Sequence, residues 1–156
     1  MMFMVSIDSS TKKTGMALFV GGKMNKYVLI DNSKEKDVNK RIDKMCLDII
    51  EQLSKWHPTV LYIEEPKGEG RNVELVRKLA EILGAVRAWC LTHGCYYEEV
   101  QPSVWRKYVG ITQGTKKRAE LKQASIDYVY TTYGVEVNDD VADSICLGAA
   151  MVNRYK

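Results

Sequence analysis

The chain has 156 residues, 46% of them hydrophobic and 28% charged, with three prolines and a net charge of +3. That composition excludes a disordered or fibrous protein, and the length fits one domain, residues 1–156, built on a single core. No apolar run approaches the roughly 20 residues of a membrane span, and the opening MMFMVSI is short and lacks a signal peptide's basic leader, so a cytoplasmic protein with no membrane partner is expected.

Residues 2–7 form a continuous apolar run, the pattern of a central strand buried on both faces. Residues 15–20 and 26–30 read as strands around Gly21 and Gly22, whose freedom at positive φ suits a tight hairpin, so the first three strands are predicted to form an antiparallel meander. Between Ser33 and Trp56, the residues Val38, Ile42, Met45, Ile49 and Leu53 recur every three or four positions and predict an amphipathic helix that Pro58 ends. TVLYIE, residues 59–64, reads as a strand placed to pair in parallel with the first through a right-handed crossover. Pro66, Gly68 and Gly70 then open a loop.

Residues 72–93 read as a second helix, capped by Asn72 and closed by Gly94. Its second half carries Leu79, Ala80, Ile82, Leu83, Val86, Trp89, Cys90 and Leu91 on more than one face. Burial between layers and a subunit interface both account for that breadth. Residues 95–100 predict a fifth strand, and Pro102 and Ser103 start a short helix carrying Trp105 and Arg106. A helix over 115–133 ends at Gly134, and a last one runs over 139–153 behind the cap Asn138. The order describes an α/β fold, a five-stranded mixed sheet flanked by helices. Cys46, Cys90, Cys95 and Cys146 have no CxxC spacing and sit in apolar stretches, as reduced core thiols do.

Charge is concentrated late in the chain. From Arg106 to Lys122, the residues Arg106, Lys107, Lys116, Lys117, Arg118 and Lys122 face only Glu120. That density suits phosphate neutralisation, and charge alone fits a solvated helix face equally well.

The acids are placed differently. Asp8 ends the buried first strand, where a charge is costly without compensation. Glu64 and Glu65 end the fourth strand, and alternation along a strand allows only one of them to face Asp8. Asp140 and Asp143 lie three residues apart on the last helix, on one face. Taken singly, each has an ordinary explanation as a turn residue, a surface acid or an acid favoured at a helix start. Together they describe converging carboxylates whose repulsion is relieved by hard divalent cations, Mg2+ or Mn2+. No Walker-type loop or GxSxG element is present.

SIDSSTKKTG (6–15), YIEEP (62–66) and DDVADSICLG (139–148) resemble, in order and spacing, the three acidic motifs of RuvC-type Holliday junction resolvases, particularly the small ones encoded by bacteriophages. The resemblance implies a ribonuclease-H-like fold and a metal-dependent endonuclease for branched DNA, four-way junctions and forks, giving 5'-phosphate products. It implies two Mg2+ ions per site, with Mn2+ able to substitute, held by Asp8, Glu64, Asp140 and Asp143, and so selects Glu64 over Glu65. RNVELVRKLAEILGAV (71–86) resembles the family's dimerisation helix, which implies a homodimer through Leu79, Leu83 and Val86. VGITQGTKK (109–117) resembles the loop that presents a catalytic lysine, here Lys116. Lys67, Arg71, Arg106, Lys107, Lys117 and Arg118 join Lys116 as implied DNA contacts. Ser9 and Ser10 stand where the family often has Pro-Gly, so the turn is built differently. The 67–71 loop lacks the aromatic with which bacterial relatives wedge a junction open. Actin-like ATPases also begin with an aspartate after a buried strand, but this chain is too short for their two lobes.

Overall fold

The computed structural model describes residues 1–66 and 72–156. Its elements are β1 (Phe3–Asp8), β2 (Lys13–Val20), β3 (Lys23–Asp31), α1 (Val38–Trp56), β4 (Val60–Glu64), α2 (Val73–Thr92), β5 (Tyr96–Val100), α3 (Pro102–Tyr108), α4 (Arg118–Tyr133) and α5 (Asp139–Arg154). They form a five-stranded sheet in the order β3-β2-β1-β4-β5. β2 pairs antiparallel with β1 and β3, whereas β4 pairs in parallel with β1 and β5, so the sheet is mixed as expected.

Every residue from Met4 to Ile7 is buried because helices cover both faces of β1. Val5, Ile7, Met16 and Leu18 point to α1 and α2, where they meet Ile42, Met45, Ile49, Ile82 and Val86. Met4, Ala17, Phe19 and Tyr62 point the other way, towards Trp105, Val129, Ile145 and Leu147. The sheet thus divides the expected single core in two. Each fully buried aliphatic or aromatic side chain contributes about 1.5–3 kcal/mol against exposure.

Two local differences from the sequence reading have clear causes. Gly21 and Gly22 both take positive φ, 58° and 81°. Such a turn matches the strand twist, so pairing continues to its edge and β2 and β3 are longer than their apolar cores. The helix predicted from residue 115 begins at Arg118 instead. Gly114 adopts a φ of 46°, and the Lys116 N–H donates to the Gln113 carbonyl at 2.8 Å, closing a turn before the helix.

The seat of α5 positions the acids. A Cβ on Gly15 would collide with the Asp140 carbonyl, and one on Gly148 would collide with the Phe19 ring. These bare backbones let α5 lie directly on β1 and β2. The buried Ser6 hydroxyl donates to the Ser144 carbonyl at 2.6 Å and fixes the helix against the strand. Asn138 caps the helix as expected, its side-chain oxygen accepting from the Val141 N–H at 2.9 Å. No described helix is long and apolar enough to cross a membrane.

Candidate metal and nucleic-acid site

Asp8 and Glu64 are the last residues of neighbouring parallel strands whose preceding residues, Ile7 and Ile63, are paired in the ladder. Asp143 reaches them from α5, and the carboxylate oxygens of Asp8, Glu64 and Asp143 lie within 4.8 Å of one another. Asp140 lines the same cleft but stands outside this trio, as does Glu65, whose N–H donates to the Val100 carbonyl at 2.9 Å.

Electrostatics set the trio apart. Burial, reinforced by the charges of Glu64, Asp143 and Asp140, pushes the Asp8 carboxyl well above the usual carboxylate range. Burial raises Asp143 to about 6, against the Ser125 hydroxyl and the Arg106 guanidinium, which favour its ionised form. Its Oδ1 is buried with no hydrogen-bond partner among the described residues. Burial and Asp139 raise Asp140, while Lys122 and Lys13 pull it down. Asp139 is held below its ordinary value in spite of burial, because Lys122 Nζ sits 2.9 Å from its carboxylate. An all-oxygen set with a buried, unsatisfied carboxylate oxygen fits a hard divalent cation.

The cleft has a volume of about 700 Å³, and Arg106, Lys116 and Arg118 line it as expected. Lys116 is exposed, and its ammonium donates to the Thr112 carbonyl at 2.5 Å within its own loop. Lys107 and Lys117 are exposed but do not line the cleft. Lys67 and Arg71 lie outside the described residues. Sequence reasoning did not assign Lys12, Lys13, Lys122 or Asp139 to the site, yet all four line it. Lys122 stands in the basic stretch, whereas Lys12 and Lys13 lie far from it in sequence, inside the first acidic motif.

The helix expected to dimerise needs a correction of detail. Leu83 and Val86, at 5% and 1% exposure, belong to the chain's own core, and Leu79 is half-buried and lines the cleft. Their apolar character is accounted for within one molecule. The outward stripe of α2 is instead Ala80, Gly84, Ala88 and Leu91. All four cysteines are free thiols, three of them buried and Cys46 half-buried.

The element order, the mixed sheet and the flanking helices define the ribonuclease-H-like α/β fold. No family model and no curated protein matches the sequence. Among solved structures, the chain is similar to Thermus thermophilus RuvC in complex with a Holliday junction substrate, with a TM-score of 0.77 and 16% identity over 99% of this chain and 95% of that one. It is similar to the fowlpox virus resolvase solved with Holliday junction DNA, with a TM-score of 0.69 and 16% identity over 99% of each chain. It also resembles the yeast mitochondrial Holliday junction resolvase Ydc2, with a TM-score of 0.63 and 14% identity over 96% of this chain and 77% of that one.

Proposed function

We propose that residues 1–156 form one nuclease domain that cleaves branched DNA, with four-way junctions and related forks as substrates, as a crossover junction endonuclease of the bacteriophage type acting in recombination and repair in the host cytoplasm. The observation that carries this reading is the convergence of Asp8, Glu64 and Asp143 at the floor of a cleft rimmed by cations. An acid cluster alone repels DNA, and a basic rim alone only binds it. The combination suits hydrolysis of a phosphodiester.

Asp8, Glu64 and Asp143 would hold a divalent cation, Mg2+ or Mn2+, with Asp140 available to a second. When bound, such ions would supply Lewis acidity to the phosphodiester and its attacking water, in a reaction that would leave 5'-phosphate products. The protein's own groups do the rest. Arg106 and Arg118 orient the phosphate, and Lys116 offsets the charge that develops on it once the ammonium turns from Thr112 into the cleft. Ser125 and Arg106 favour the ionised form of Asp143, keeping it ready as a ligand.

A two-fold dimer would present two such clefts to opposed strands of a junction. The outward stripe Ala80, Gly84, Ala88 and Leu91 supports it, because small residues let two helices approach closely.

The test is a cleavage panel of four-way junctions, forks, flaps, linear duplex and RNA–DNA hybrid with Mg2+. Paired nicks in junctions by the parent chain are expected. Asp8→Asn should cut at least about a thousandfold more slowly, a barrier increase of about 4 kcal/mol, while still binding junctions. Preference for the hybrid, or parental nicking by the variant, would overturn the reading.

A further inference from the structure

Of the basic residues legible in the sequence, those that line the cleft, Arg106, Lys116, Arg118 and Lys122, approach it from the helical layer, on α3, α4 and the loop between them. Lys12 and Lys13 come from the sheet itself, at the turn joining β1 to β2, which starts one residue after Asp8. We propose that this turn is a second phosphate-binding wall, contacting the sugar-phosphate backbone of the DNA strand beside the acid trio. The proposal deepens the nuclease reading and rests on it.

Three observations support it. First, both lysines are exposed and line the cleft, and neither makes an ion pair within 4.0 Å among the described residues. Other cleft cations are already engaged: Lys122 with Asp139, and Lys116 with the Thr112 carbonyl. Lys12 and Lys13 can accept a phosphate without surrendering a partner.

Second, the turn is held in place. The Ser10 hydroxyl accepts from the N–H groups of Lys12 and Lys13 at 3.2 and 3.3 Å. The Ser10 N–H donates to the Thr14 hydroxyl at 3.2 Å, and the Lys12 carbonyl accepts from the Asn32 N–H at 2.7 Å. Thr11, next to the exposed lysines, is buried. The ammonium groups therefore stand on a fixed base, which lowers the entropic cost of engaging a ligand.

Third, the site requires positive charge here. Asp140, the acid outside the trio, lines the cleft together with Lys13 from the sheet and Lys122 from α4. A phosphodiester entering between them passes a row of carboxylates, and cations on one side only would leave the strand repelled from the other.

The contact is to backbone, so it should be independent of base sequence and steeply salt-dependent. Affinity for a four-way junction is measured in Ca2+ across a salt series, for the parent, for Lys12→Ala/Lys13→Ala, and for Lys23→Ala/Lys26→Ala. The last removes the same charge from exposed lysines beyond the far end of β2. The Lys12/Lys13 variant should lower the slope of log affinity against log salt by about 2. The Lys23/Lys26 variant should leave it at the parental value. Equal slopes for all three proteins, or equal losses in both variants, would overturn the wall while a cutting parent kept the nuclease reading intact. A parent that neither binds nor cuts any branched DNA would overturn both.

Discussion

The two ends of α5 carry charge in opposite ways. At its C-terminal end, the Arg154 guanidinium grips Glu98 through two hydrogen bonds of 2.8 and 3.3 Å and lies over the rings of Tyr62 and Tyr155, at 5.5 and 4.8 Å. Arg154 holds the Glu98 carboxyl below its usual range. At the N-terminal end, Asp143 and Asp8 are raised, and Asp143 keeps a buried oxygen with no hydrogen-bond partner among the described residues. One end pairs its opposite charges within the chain and works as a tether, although the buried Arg154 Nε has no hydrogen-bond partner among the described residues. The other gathers charges that the chain leaves incompletely satisfied, and so is arranged for a ligand.

The comparison breaks most visibly at Gly15. Gly15→Ala drives a methyl into the Asp140 carbonyl and must lift the first turn of α5 from β2. A stability loss of about 3 kcal/mol in urea unfolding is expected, with cleavage per folded molecule falling about tenfold or more. Parental stability and rate together would mean that the acid end is not set by close packing.

Arg154→Met tests the tether. It leaves Glu98 partly buried with the Tyr96 hydroxyl but no cation beside it, and with both groups partly exposed the expected cost is about 2 kcal/mol. Junction cutting per folded molecule should not change. A loss of cutting without a loss of stability would show that the two ends are functionally coupled.

The smallest effect is a pH dependence of the metal-free protein. Asp143 in the folded state keeps its proton up to about 6, whereas the unfolded chain releases it near the ordinary carboxylate value of 3.8. Between those values the folded state binds more protons, so its stability falls as pH rises through that window. The contribution is about 1 kcal/mol, discounted for solvent at the cleft mouth. Asp143→Asn should flatten this part of the thermal-stability profile, and added Mg2+ should raise the parent's melting temperature more at pH 7 than at pH 5. An unchanged profile in Asp143→Asn would assign this pH dependence to the other raised carboxyls, Asp8 and Asp140.

Much of this arrangement was legible in the sequence, because burial leaves a period. The apolar run of β1, the spacing along α1 and the caps Asn72 and Asn138 are local signals, and each element formed where its signal stood. Asp8 and Glu64 were readable as acids closing apolar strands. Asp140 was harder to separate from Asp143, since a spacing of three residues puts both on one face, but a helical turn also displaces one from the other along the axis. Only the seating of α5 on β2 decides which of them reaches Asp8. Lys12 and Lys13 were invisible for a related reason: a turn's composition does not reveal what stands beside it across the sheet. The breadth of α2 left burial and a subunit interface both open, and two layers of the chain use it, the core through Leu83 and Val86 and the cleft through Leu79.

The bond from Ser6 to Ser144 lies two residues before Asp8 and one after Asp143, and neither partner is charged. Strand and helix are thus locked together by an interaction indifferent to pH, ionic strength and loading. The receptacle is preformed, so an ion's affinity is not diminished by work of assembly.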